Sequence, residues 1–368
     1  MSAAKGNLDL TPERNDSTVE SGLTALYLET EHLLDRIAFD TLWPGFFRLP
    51  FALYNPHGVW LPGGRVIPHN NRFLGNTAIA FEGETMAIWQ VPDPGQVDRD
   101  TLAAGIVHEM FHAFQQIRKD PRQPMVLDFL EDTIDVEIFH RRALENEILA
   151  DAYRSALLSL KREHLDRFMA CRKDRAAHCQ DISRSEFLSE THEGLAEYIG
   201  IRTLEQIAPD KARTRIDHHL AILTDPGTRL FDVRRMTYTT GAIFALVCEE
   251  AGQPVGHDIG AVRETLFELM SGNIPPEPPD AGEPDDGIVR MAQSLREERV
   301  RVFAAFRDTH SKRIDGDFSL AGFDPMNTVR LGDAILGTHF LMLTPAGSRD
   351  PLFLQGPVMA ELEPGSRT

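Results

Sequence analysis

The sequence predicts an α+β protein, predominantly helical, with a small antiparallel sheet ahead of its central helix and a short β-rich unit near the C-terminal end. Three observations predict it. Apolar residues recur at helical spacing over most of the chain from Ser17 to Asp308. Short apolar runs broken by Pro and Gly fill residues 43–91, and a similar strand-like pattern returns from Phe318 onward. The expected organisation is a polar tail (1–16), one large region (17–310) and a small C-terminal unit (318–364). Within the large region fall the sheet (43–91), a helical part (100–272) and a Pro-rich acidic loop (272–287).

Each element has its own signal. Leu23, Leu26, Tyr27, Leu33, Leu34 and Ile37 mark an amphipathic helix over Ser17–Asp40. Arg48 to Asn55, Gly58 to Leu61 and Thr77 to Trp89 read as strands, the last being two strands joined by the turn Glu82-Gly83-Glu84. Such a sheet closes the core or offers an edge strand to an extended peptide, and the sequence favours neither. Asp100 or Thr101 then caps a helix that runs out near Lys119-Asp120-Pro121. A long helical stretch spans about Asp128 to Arg172, with room for a break, and the charged segment Arg172 to Ser183 reads as a loop. Further helices are expected at Glu186–Ile207, Arg213–Leu223, Thr239–Ala251, Ile259–Met270 and Ile288–Asp308. Strands follow at Ala334–Leu336, Phe340–Leu343, Leu352–Leu354 and Val358–Ala360. No internal repeat is evident.

Composition narrows the function classes. A chain of 368 residues, 42% hydrophobic and 26% charged, has the profile of a globular protein with a sizeable core. Its formal charge of −18 argues against nucleic acid, which calls for a basic face. No run reaches 18 apolar residues, and the first residues lack the apolar stretch of a signal peptide, so no membrane and a cytoplasmic location are expected. Cys171, Cys179 and Cys248 have no metal-ribbon spacing and are read as free thiols.

The stretch that carries chemistry is His108-Glu109-Met110-Phe111-His112. On a helix two residues four apart lie about 6 Å along the axis and about 40° round it, so both imidazoles project from one face and can grip one ion. The apolar neighbours Val107, Met110, Phe111 and Phe114 put that helix in the interior, whereas Gly105 weakens it slightly. A catalytic zinc takes three protein ligands and leaves a position for water. A third His six residues on is excluded, because Gln115 and Arg118 stand where that pattern has Gly and His. Two later stretches pair a carboxylate with another four residues on: Glu147 with Asp151, and Glu193 with Glu197 in His192-Glu193-Gly194-Leu195-Ala196-Glu197-Tyr198. In either, the first would bind the metal and the second would hold a ligand imidazole in its tautomer. Gly194, which lets two helices approach closely beside the carboxylate, favours Glu193.

With this pair of motifs the chain resembles the gluzincin metallopeptidases, which take two His from H-E-x-x-H and a Glu from a later helix. The Glu-Gly-x-Ala-x-Tyr form of the second stretch looks like the third-ligand helix of many bacterial members. The resemblance covers about Thr77 to Gly241, and the stretch between His112 and Glu193 is far longer than in the thermolysin-like branch. It implies a zincin-like core, one Zn2+ per chain held by His108, His112 and Glu193, a peptide or protein substrate, and Glu109 as general base toward a zinc-bound water. Tyr238, in Arg234-Arg235-Met236-Thr237-Tyr238, is the candidate oxyanion donor, with a half-buried structural tyrosine as the plain alternative. Arg234 and Arg235 either meet a substrate carboxylate or lie on the surface, and the surface is the expected place. His140, His164, His192, His218 and His219 are read as solvated or structural. The rival function is a zinc-binding protein of the same fold that acts as an interaction or regulatory module.

Overall fold

A computed structural model describes residues 16–124, 134–272, 278, 280–309 and 312–363. In chain order the elements are α1 (Asp16–Leu34), α2 (Phe39–Leu42), β1 (Phe51–Asn55), β2 (Gly58–Leu61), β3 (Arg65–Ile67), β4 (Thr77–Phe81), β5 (Glu84–Gln90) and α3 (Arg99–Ile117). Then come α4 (Val136–Arg154), α5 (Leu158–His178), α6 (Gln180–Ser189), a π-turn (Glu190–Gly194), α7 (Leu195–Ile207), α8 (Pro209–Thr224), α9 (Val233–Glu250), α10 (Leu266–Ser271) and α11 (Asp286–Thr309). Strands β6 (Phe318–Phe323), β7 (Thr328–Leu331), β8 (Ala334–Gly337), β9 (Phe340–Pro345), β10 (Leu352–Gln355) and β11 (Val358–Glu361) complete the chain. The mixture of helix and small sheets matches the expected class. No helix of the described residues is long and apolar enough to cross a membrane.

The chain forms two compact units from interleaved segments. The first draws on Met1–Asp120, Ile199–Thr214 and Gly256–Val262, and the second on Pro121–Tyr198, Arg215–Val255 and Arg263–Thr368. Contiguous stretches of sequence carry no trace of that interleaving.

In the first unit the sheet has the order β3-β2-β1-β5-β4. It is mixed rather than wholly antiparallel, because β1 and β5 pair in parallel with Phe51 opposite Ala87 and Leu53 opposite Trp89. The excursion through β2, β3 and β4 between them lets the chain return in the same direction. The β4–β5 hairpin turns on Glu82 and Gly83, both at positive φ (50° and 89°), the backbone of a type I′ turn. Ala52, Tyr54, Val59, Leu61, Phe73, Phe81, Met86 and Ile88 form the sheet's apolar cluster. Helix α3 packs on β4 and β5.

In the second unit α4 and α5 form a helical hairpin across Ser155–Leu157. The expected loop from Arg172 to Ser183 is instead the end of α5 and the start of α6. Its charge misleads because Arg172 and Arg175 point inward: both are buried and paired with Glu145, and beyond it with Glu190 and Glu186 respectively. The C-terminal strands make two three-stranded sheets, β10-β9-β6 and β11-β8-β7, around Ile335 and Leu341. Phe303 of α11 packs with Ala334 and Leu336.

Other boundaries shift for local reasons. The cap of α3 is Asp98, whose carboxylate accepts from Thr101 N at 2.9 Å. The expected helix Ile259–Met270 shrinks to α10, because Gly260 turns the chain at φ 92° and its backbone lies against the Arg118 carbonyl, 2.1 Å from where a Cβ would stand. Helix α9 begins at Val233, six residues earlier than its apolar pattern, because the Asp232 side chain accepts from Arg235 N and caps it there. The expected tail (1–16), apart from Asp16 at the start of α1, and the expected start of a helix at Asp128 lie outside the described residues, as do residues 273–277 and 279 of the expected Pro-rich loop.

Candidate metal centre

The motif helix α3 is interior along most of its length, with every residue from Leu102 to Gln115 buried. Aromatic rings enclose one side of it: Trp43 and Phe46 meet Phe111 edge-on at 5.4 Å, and Phe46 also meets Phe114. Gly105, unfavourable by propensity, sits where a Cβ would fall 2.5 Å from the Trp89 ring. The glycine is therefore the residue that lets α3 lie down on β5. At its first turn Asp98 also receives Lys211 Nζ at 2.6 Å, and chiefly for that reason its carboxyl is lowered to about 2. A charged cap is thereby held at the positive end of the helix dipole.

On this frame His108, Glu109 and His112 converge. One potential ligand atom from each lies within 4.8 Å of the others, and the two imidazole centroids are 4.9 Å apart with their planes at 78°. Exposures of 7–8%, against 0–2% for Val107, Met110, Phe111 and Phe114, leave these three a narrow approach that their apolar neighbours lack. His112 Nδ1 donates to Gln115 Oε1 at 2.8 Å, which leaves Nε2 as the lone-pair nitrogen. An amide that fixes ring and tautomer in this way is what a metal-binding histidine requires. Two imidazoles and a carboxylate so placed could hold a metal ion.

The second informative stretch folds in the second unit as a distorted helix. Glu193 lies on the π-turn, buried, and Arg234 Nη2 donates to its Oε1 at 3.3 Å. Helix α9 clamps that turn. A Cβ at Gly194 would stand 2.6 Å from Gly241 Cα, and one at Gly241 would stand 2.7 Å from the Glu190 carbonyl, so only two glycines permit the approach. Ser189 and Thr237 share a hydroxyl hydrogen bond of 2.7 Å, Thr240 donates to Glu190, and Leu266 N donates to Thr191 Oγ1 at 2.8 Å. Single π-turns of this kind are frequent at functional sites.

Glu197 begins the next turn, buried, and is gripped from two sides. Arg215 forks onto both its oxygens, and His219 Nε2 lies 2.7 Å from Oε1 while Nδ1 lies 3.0 Å from Thr239 Oγ1. His219 is thus a buried structural group, and His218 beside it remains exposed. The rival pair Glu147 and Asp151 faces outward on α4, where both are exposed. Among the described residues neither joins any convergent group of three or more potential ligands. The buried face of α4 carries Glu145 and Asn146 instead.

Tyr238 is half-buried inside α9 rather than ahead of it, one turn beyond Arg234. Arg235 lies on the surface as expected, where it pairs with Asp232 and reaches the Met326 carbonyl. Arg234 does not: its side chain is 17% exposed and meets Glu193. His140 bonds the Ala281 carbonyl through Nε2, His164 meets Ser155, and His192 is half-buried on the π-turn. Gln115 and Arg215 are the site-related residues that the sequence pattern leaves out, and it gives His219 and Arg234 no partner. Gln115 alone carries a signal, as a polar residue three positions past a ligand on an apolar helix.

The cysteines are unpaired. Burial pushes Cys171 up to about 12 and Cys248 higher still, so neither thiol is primed for chemistry. Comparison with family models, with curated proteins and with solved structures finds no match.

Proposed function

We propose that the protein is a zinc-dependent metallopeptidase of gluzincin type. One observation carries the reading: His108, Glu109 and His112 converge on a buried helix face, with His112 Nδ1 already committed to Gln115. Glu193 is the third ligand in this reading, supported by its burial on a braced π-turn, and Glu197 acts behind it. Zinc held by these residues would supply Lewis acidity, drawing the pKa of a water toward neutrality and polarising a carbonyl.

The chain's own groups do the rest. Glu109, adjacent to His108 and nearly sealed from bulk water, takes a proton from the attacking water and returns it to the leaving amine. Its carboxylate needs no metal bond for that role, which is why a site of purely structural purpose would gain nothing from it. Tyr238 is the candidate donor to the developing oxyanion.

The test is metal analysis and peptide hydrolysis on the purified chain. Stoichiometric zinc is expected, together with cleavage of a mixed peptide library that a chelator abolishes and zinc restores. Glu109→Gln should retain the metal and lose about 100- to 10,000-fold in rate. Retained zinc with undiminished hydrolysis in that variant overturns the role of Glu109. Zinc without any hydrolysis in the unaltered chain favours the interaction module.

A further inference from the structure

Four arginines of the second unit invite comparison. Arg175 donates Nε and Nη2 to Glu145 and Nη1 and Nη2 to Glu186, at 2.6–3.0 Å and with no exposure. Arg172 spans Glu145 and Glu190, and Arg215 forks onto Glu197. These three are committed to carboxylates of their own chain. Arg234 is different. Among the described residues its guanidinium meets Glu193 alone, through one nitrogen at the long distance of 3.3 Å. Its other nitrogens are not among the sealed, partnerless atoms of the fold, so they open to solvent.

Position adds to this. Arg234 is the second residue of α9, an 18-residue helix, so the positive end of the helix dipole reinforces its charge. It shares a face with Thr237, Tyr238 and Gly241 at spacings of three, four and seven, and the Thr237 carbonyl and Gly241 press against the π-turn that carries Glu193. A guanidinium anchored by one long bond beside a buried carboxylate, with most of its donors unspent, is arranged to receive a second anion. Its planar fork matches a carboxylate in two parallel hydrogen bonds.

We propose that Arg234 binds a carboxylate of the substrate beside Glu193, so that the enzyme prefers peptides with a carboxylate next to the scissile bond. This rests on the reading of Glu193 as a metal ligand. The carboxylate is either the C-terminal one, giving carboxypeptidase action, or an Asp or Glu side chain. The tyrosine one turn along the same face then lies on the substrate side of α9.

Thiol-capped amino acids test this by binding alone, since the thiolate takes the zinc and the far end reports on Arg234. The probes are mercaptoacetyl-leucine, mercaptoacetyl-leucinamide and mercaptoacetyl-aspartic α-amide, titrated calorimetrically into the zinc-loaded full chain. At least one acid should bind about 10- to 100-fold tighter than leucinamide, the range for hydrogen bonds to a charged group, and which acid wins identifies the source of the carboxylate. Arg234→Gln should erase that preference while leaving zinc content and leucinamide affinity unchanged. Arg234→Lys should restore part of it, and Arg235→Gln should change nothing. Equal binding of all three probes to the unaltered protein overturns the proposal, a comparison that needs no variant to fold. Equal weakening of all three probes by Arg234→Gln overturns it as well, since the guanidinium then serves only Glu193. Absence of zinc overturns the metal reading and this proposal with it, whereas bound zinc with no acid preference overturns this proposal alone.

Discussion

The carboxamide of Gln115 shows how much of a candidate metal site lies one bond behind the groups that could hold the ion. His112 has two ring nitrogens, and an unheld imidazole would divide its population between tautomers and rotamers. Gln115 Oε1 at 2.8 Å from Nδ1 selects one of each. In Gln115→Ala, zinc affinity should fall about 10- to 100-fold, as measured by competition with a chromogenic chelator, with little change in the folded state of α3. Unchanged affinity would mean that the packing around Phe111 and Phe114 suffices to hold the ring. At this scale the sequence exposed the residues whose chemistry is explicit in a pattern, His108, Glu109 and His112, because helical spacing alone puts them on one face. It concealed the partners of Arg234, Arg215 and His219, because each acts through a residue distant in sequence: Glu193 for the first and Glu197 for the other two.

The elements carrying these residues are positioned by absent side chains as much as by present ones. Helix α3 meets β5 where Gly105 faces Trp89, and the π-turn meets α9 where Gly194 faces Gly241. In helical propensity Gly105 costs up to about 1 kcal/mol relative to Ala, so its tenancy must be explained by contact. Gly105→Ala should destabilise by about 1–3 kcal/mol, because a Cβ 2.5 Å from the indole forces α3 or the ring to move. In a Trp89→Leu background the same change should be neutral or stabilising, since the clash is removed and the propensity gain remains. Denaturant unfolding of the four proteins measures the coupling, and equal effects in both backgrounds would refute the packing account. The sequence revealed the existence of these helices through their apolar periodicity. It did not reveal the π-turn, because Thr191, His192 and Glu193 fit an α-helical pattern equally well, and the extra residue in the turn is imposed by tertiary bonds from Thr237, Thr240 and Leu266. Likewise α9 was legible as an apolar helix from Thr239 but not over its polar first turn, where Asp232 and not hydrophobicity sets the start.

At the scale of the whole molecule, the second unit has an unusual interior for so acidic a chain: Arg142, Arg172 and Arg175 against Glu145, Glu186 and Glu190, all six buried. From sequence alone such residues read as surface, which is why the stretch from Arg172 resembled a loop. Desolvating six charges is costly, and mutual attraction offsets that cost only while every partner is present. The ensemble therefore behaves as one element, and removing a single member should hurt far more than its share. Arg175→Met takes bidentate partners from Glu145 and Glu186 together and should cost about 3–5 kcal/mol, lowering the melting temperature by roughly 10 °C. Acid should reach the same weak point. For Glu186, burial alone would raise the carboxyl, but the charges of Arg142, Arg175 and Arg172 outweigh it and hold it below the ordinary carboxylate range. A carboxyl depressed in the folded state contributes stability that is fully present above the unfolded value, about 4.3, and is lost as pH falls below it, because the unfolded chain then binds a proton that the folded chain refuses. Denaturant midpoints of the unaltered protein should accordingly be flat above about pH 5.5 in this contribution and should fall steeply below about pH 4. In Arg175→Met the acid limb should be shallower and should end at higher pH, since Glu186 has lost one of the charges that held its proton off while the unfolded value that sets the onset is unchanged. An acid limb of the same depth in both proteins would show that Arg175 contributes packing to the network and not charge.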